Sequence, residues 1–259
     1  MDVAACLWTH ELQDFAVLRS WISHWQGPIS LLMTTSAKPK SNPQAALFHR
    51  LNDLKAENLP GLSLHLLHVG IHEQASSNVY LNLARLFAPT AAVMLVPANL
   101  SYSPLVSHKA IVSERLSARQ LPLIVTDNPQ NWSTFTALPV LPPLVIQRNH
   151  PVWCTERYFL RKTRASDWRA CLWQFWVDSF GAFVDVGTSN SSVRDSATAS
   201  EVSNDRLSVR FRAETCDLVA RTMATLGLRK YKDGKKKLQW LKETCGQLSV
   251  DKIFKYIER

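Results

Sequence analysis

The sequence predicts an α/β protein with a largely parallel sheet and helices on both of its faces. Three observations lead there. Short apolar runs of strand length recur at residues 3–9, 29–35, 62–69 and 91–96. Between them lie stretches whose apolar residues stand three and four apart, the helical period. In the fourth repeat the helix-like stretch Asn78 to Ala88 runs directly into the apolar Ala91 to Val96, which ends in the polar turn Pro97-Ala98-Asn99. Such alternation is the pattern of βαβ units, and polar residues at a strand's C-terminal end are where α/β proteins place their sites.

Taken in order, Val3 to Thr9 reads as the first strand. Glu11 to Trp25 follows as a helix, with Leu12, Phe15, Leu18, Trp21 and Ile22 on one face. Gln26-Gly27-Pro28 stops it, with Gly27 expected as the left-handed cap and Pro28 forbidding continuation. The second strand is 29–35, the second helix 44–58 and the third strand 62–69. A helix over 100–120 is expected from Ser103-Pro104, then a strand at 121–126 closed by Asp127-Asn128-Pro129. Prolines at 139, 142, 143 and 151 predict an extended or irregular path for 135–149. Residues 166–180 read as a strong amphipathic helix with Ser166 as N-cap. Residues 187–204 turn to Ser, Thr, Asn and Asp and predict a disordered loop. Helices at 207–226 and 235–246 flank a basic connector between Gly227 and Gly234. The whole, 1–259, reads as a single domain whose C-terminal part, 205–259, is basic and helical.

Composition narrows the function classes. With 46% hydrophobic and 20% charged residues in a chain of 259, a substantial core is expected. No apolar run approaches membrane-spanning length, and the N-terminus has no basic segment followed by a long apolar one. Of the net charge of +9, most sits beyond residue 204, where 14 Lys/Arg face 7 Asp/Glu. Solvated helical faces account for such a surplus, and an anionic partner is the alternative. The five cysteines are odd in number, scattered and without a CxxC. That pattern points to reduced, buried thiols rather than a zinc ribbon or a disulfide scaffold.

His65, His68 and His72 form H-x2-H-x3-H. Residues 65 and 68 are an odd number apart on a strand and face opposite ways, so these histidines read as structural. HExxH, GxSxG, GxGxxG and GxxxxGK[ST] are all absent, which removes the commonest protease, hydrolase, dinucleotide and P-loop chemistries. No two carboxylates stand two apart anywhere in the chain. A pair at that spacing could hold a divalent cation against a departing diphosphate.

Three segments, in order, resemble glycosyltransferase family 49, the LARGE-type glucuronyltransferases. Trp21-Ile22-Ser23-His24-Trp25-Gln26-Gly27-Pro28-Ile29-Ser30 is similar to the family's W-x-G-P-I-S segment. Asn78 to Ala88 is similar to the helix before its DxD strand, and Trp153-Cys154-Thr155-Glu156-Arg157-Tyr158-Phe159 to its D-E-R-F segment. The chain looks like a divergent, fungal-type member. The resemblance implies a GT-A-like (Rossmann-like) mixed sheet flanked by helices, a nucleotide-sugar donor, a glycan acceptor and a manganese ion. It also implies a Golgi lumen, whereas the lack of a signal or anchor implies the cytoplasm.

Two departures qualify the chemistry. Where the family has Asp-x-Asp this chain has Pro97-Ala98-Asn99, and no histidine follows His150 where the family has a late metal ligand. No metal site is therefore expected and no cofactor assigned. The expected function is glycosyltransferase-like, with any transfer independent of metal. Glu156 is the catalytic acid/base candidate, and Asn99, Arg157 and Arg161 the donor-binding candidates. Lys162, Arg164 and the Lys235-Lys236-Lys237 cluster are further cations for the diphosphate. The alternatives are a catalytically inactive relative with a binding role, or a basic module for nucleic acid or an anionic surface. Nucleic acid is the less expected partner.

Overall fold

The computed structural model describes residues 2–10, 15–57, 61–70, 77–102, 104, 110, 112–115, 122–126, 141–154, 164–187, 206–227 and 233–248. Seven strands form one mixed sheet: β1 (Val3–His10), β2 (Ile29–Thr35), β3 (Leu62–His68), β4 (Ala92–Leu95), β5 (Leu123–Thr126), β6 (Leu144–Gln147) and β7 (Val184–Gly187), in the order β3-β2-β1-β4-β6-β5-β7. Strands β1 to β4 pair in parallel, β6 runs antiparallel to both β4 and β5, and β7 pairs in parallel with β5. The α/β class and the mixed sheet expected from sequence are both present.

Among the described residues the helices of this frame include α1 (Phe15–Trp25), α2 (Asn42–Ala56), α3 (Ser77–Leu86), α4 (Arg164–Asp178), α5 (Arg206–Leu226) and α6 (Gly234–Cys245). The period of two along the strands divides the core into two layers. Val3, Ala5 and Leu7 of β1 and Ala92 and Met94 of β4 join Leu18, Trp21 and Trp25 of α1 and Leu47 and Leu54 of α2. Ala4, Cys6, Val93 and Leu95 face the other way, onto Leu81 and Ala84 of α3, Trp168, Leu172 and Phe175 of α4, Ala220 of α5 and Leu241 of α6. The basic C-terminal helices thus share the main core. Among the described residues, no helix is long and apolar enough to cross a membrane.

Two strands escaped the sequence reading. β6 lies inside the proline-rich stretch predicted to be irregular, but its four residues are themselves free of proline and fully apolar up to Gln147. The prolines at 142, 143 and 151 bound it instead of breaking it. β7 ends at Gly187, the residue at which the disordered loop was to begin. Residues 188–204 lie outside the described ones.

Caps also moved. The left-handed residue after α1 is Gln26 (φ 52), not Gly27, and its N–H bonds Ile22 O at 3.1 Å. Helix α4 begins at Arg164, so Ser166 is in its first turn and does not cap it. Of the helix expected over 100–120, Asn99–Ser101 is a 3-10 turn and residues 112–115 are helical, while most of the remainder lies outside the described residues. The cysteine expectation is corrected outright. Cys154–Cys171 and Cys216–Cys245 are disulfides, and buried Cys6 alone is free. Partners 17 and 29 residues apart meet because α4 lies against the segment after β6, and α6 against α5.

Candidate functional site at the switch point of the sheet

The chain steps outward from β1 to β2 to β3 and then returns to the far side of β1 as β4. In open α/β sheets the crevice outside the strand ends at such a reversal is where ligands bind. Here that crevice is bounded by the ends of β1 and β4.

β1 has eight residues and β4 only four, so the β1 edge offers N–H groups that β4 cannot reach. Two side chains complete the ladder. Before β4, Thr90 Oγ1 accepts Ala4 N–H at 2.9 Å; after it, Asn99 Oδ1 accepts Trp8 N–H at 2.9 Å. Asn99 is buried and left-handed (φ 57), a conformation that asparagine adopts more readily than most residues. The oxygen expected to meet a donor or cation is therefore occupied by the fold itself. Pro97 has no side-chain ligand to offer. Among the described residues no three His, Cys, Asp or Glu stand together as a metal set. The donor groups present do not fit the manganese that the resemblance implies.

Around this turn the crevice is aromatic and polar. The Trp8 indole packs on Tyr80 of α3 with centroids 5.2 Å apart. Arg164, the first residue of α4, holds its guanidinium 5.7 Å over the same indole. Trp8 Nε1 is buried and has no hydrogen-bond partner among the described residues. Hydroxyls of Thr9, Thr34 and Thr35 close the ends of β1 and β2, Thr35 Oγ1 accepting Ala37 N–H at 3.1 Å.

Of the sequence-predicted site residues, Glu156, Arg157, Arg161 and Lys162 lie outside the described residues. The structure does fix what flanks them. Cys154 is bonded to Cys171 of α4 and its carbonyl accepts from Asn82 Nδ2, and Arg164 sits over Trp8. The lysine cluster is not brought to the crevice. Lys237 lies 4.7 Å from the ring of Phe180, just past the C-terminal end of α4, whereas Arg164 begins that helix. Fifteen residues of helix separate those ends, about 20 Å.

The resemblance segments turn out to hold the fold together. Trp25 is fully buried and donates its indole N–H to Pro28 O at 3.0 Å, the same carbonyl that takes Ala5 N–H, and Trp21 donates to Tyr102 O at 2.7 Å. Arg85 of α3 is fully buried and donates to the carbonyls of Arg148 and Val152 at 2.7 Å and to that of His150. Its guanidinium also lies 4.2 Å over the ring of Trp153. Burial lowers the Arg85 pKa to about 10 and pushes the nearby Cys6 thiol far up, so that thiol stays protonated and unreactive. His65 stacks on Phe87 and is held below the ordinary histidine range by burial. Its neighbours on β3 show that His65 and His68 take opposite faces, and His72 lies outside the described residues. No known protein family matches the chain, and no curated protein matches it.

Proposed function

We propose that this chain is a glycosyltransferase-like protein of GT-A type that binds a nucleotide sugar at the switch-point crevice without a divalent cation. The observation that carries this reading is the Asn99 contact: at the strand end where a metal-dependent relative has carboxylates, the one oxygen present completes the β1 ladder. The mixed sheet flanked by helices supports the GT-A-like class. The resemblance at 21–30, 78–88 and 153–159 supports the donor.

Without a metal, a diphosphate leaving group needs cations and hydrogen-bond donors from the chain. Arg164 over Trp8 is a described cation at this crevice. Arg157 and Arg161 supply further charge, and Glu156 deprotonates the acceptor hydroxyl in the active form of the reading. The same Asn99 contact favours a second form, in which the chain binds nucleotide sugar and transfers nothing.

Calorimetric titration with a panel of UDP-sugars in EDTA, on the wild type and on Arg164→Ala, tests the proposal. Saturable binding weakened about tenfold or more by the substitution is expected, roughly 1.4 kcal/mol. Absence of heat with every nucleotide sugar would overturn it. Release of UDP on adding a glycan acceptor separates the transferring form from the binding one.

A further inference from the structure

A second cavity lies at the far end of α4 from the crevice, between the segment after β6, the last turn of α4 and the middle of α5. Its volume is about 420 Å³, within the ~300–1,000 Å³ of ordinary small-molecule sites. Trp153 forms one wall, 40% exposed, and aliphatic surface comes from Val152, Leu218 and Val219.

The polar groups in the wall are biased towards accepting hydrogen bonds. The hydroxyl protons of Thr215 and Thr222 go to Phe211 O and Leu218 O at 3.0 and 2.9 Å, which leaves oxygen lone pairs facing outward from those bonds. Asp178 gives one oxygen, Oδ2, to His150 at 3.6 Å. Gln174 adds an amide with both donor and acceptor. Among the described residues no lysine or arginine lines the cavity, and the Asp178 carboxylate disfavours an anion. A cationic ligand is disfavoured as well, because Arg85 already lies over the Trp153 ring.

An acceptor-rich wall beside an exposed indole and aliphatic surface suits a ligand with several hydroxyl donors and an apolar ring face. We infer that this cavity is a binding site for a neutral saccharide, remote from the switch-point crevice. The first turn of α4 is at that crevice and its last turn at this cavity, about 20 Å away along the helix. The site does not depend on the nucleotide-sugar reading, since none of its residues belongs to the crevice.

Saturation-transfer NMR on the whole chain with cellobiose, maltose and xylobiose is the test, repeated on Leu218→Trp and Thr222→Trp. Leu218 is 65% exposed, so a larger ring there fills the cavity without entering the core. Saturable millimolar binding of at least one disaccharide is expected, lowered about tenfold or more in both variants while their melting curves stay those of the wild type. A glucuronate-containing disaccharide is expected to bind more weakly than its neutral counterpart. No saturable binding by any neutral disaccharide, binding indifferent to both variants, or equal binding of the uronate would each overturn the assignment. UDP-sugar titration reads the crevice separately, so the two readings fail independently.

Discussion

At the C-terminal ends of the strands, Trp8, Tyr80, Asn99 and Arg164 come from four parts of the chain, and among the described residues the buried Trp8 indole N–H has no hydrogen-bond partner. At the opposite ends, Arg85, Asn82, Arg148 and His150 are similarly polar, yet each is tied to backbone of the segment 148–154 or of the turn after α3. Arg148 donates to Ala88 O at 2.7 Å, and His150 Nδ1 accepts Val152 N–H at 3.1 Å. One set closes a loop against a helix, and the other gathers side chains at the switch point of the sheet. Polar residues of this core layer reach backbone at both edges: Asn99 completes the β1 ladder, and Arg85 clamps the segment after β6. The proposed site lies at the first edge, and Arg85 forms a structural clamp at the second.

Removing the clamp should have the largest effect. Arg85→Ala leaves three carbonyls without their donor and a cavity beneath Trp153, so a loss of about 3–5 kcal/mol is expected in urea unfolding. A loss below about 1 kcal/mol would erase the distinction between the two edges. Next comes the Cys154→Ser/Cys171→Ser pair, which opens a loop of 17 residues. Loop-closure entropy sets its cost at about 3 kcal/mol, read as the difference in unfolding free energy under non-reducing conditions.

At the crevice edge the effects should be smaller. Asn99→Gly keeps the left-handed backbone and removes the acceptor, at about 1 kcal/mol, whereas Asn99→Ala adds left-handed strain for about 2 kcal/mol in all. Equal costs for the two would mean that the φ of 57 stores no strain.

The smallest expected effect is on pH dependence. Burial holds His65 and His150 below the ordinary histidine value, with Asp178 partly opposing this at His150. The folded chain then binds fewer protons than the unfolded one, so stability falls as pH drops through about 6.5. Asp178 is raised by burial, an effect of opposite sign that acts nearer the carboxylate range. Urea midpoints measured from pH 7.5 to 5.5 should fall, and His150→Gln should flatten the curve.

The alternating apolar runs were enough to read β1 to β4, because a buried parallel strand and an amphipathic helix each leave a local period. β6 was hidden because its neighbouring prolines dominate the composition of its window. The disulfides were hidden because their partners meet only through helix packing. At the candidate site, the absence of any carboxylate from 97–99 is plain in the sequence. The role of Asn99 was not, since it follows from β1 outreaching β4 and from a contact across 91 residues. Trp8 and Arg85 were missed for a related reason: inside an apolar strand and an amphipathic helix, nothing local marks one residue as a crevice wall or a clamp. Arg85 did carry a signal, an arginine amid the otherwise apolar Leu83-Ala84-Arg85-Leu86-Phe87 run.

We propose that the crevice at Asn99 works without a metal. The most direct measurement is the affinity for a UDP-sugar in EDTA set against that in saturating Mn2+. The two affinities should agree within about twofold, because Asn99 Oδ1 stays on Trp8 N–H under both conditions. Binding seen only with Mn2+ would show that the chain assembles a metal site, and would contradict the account.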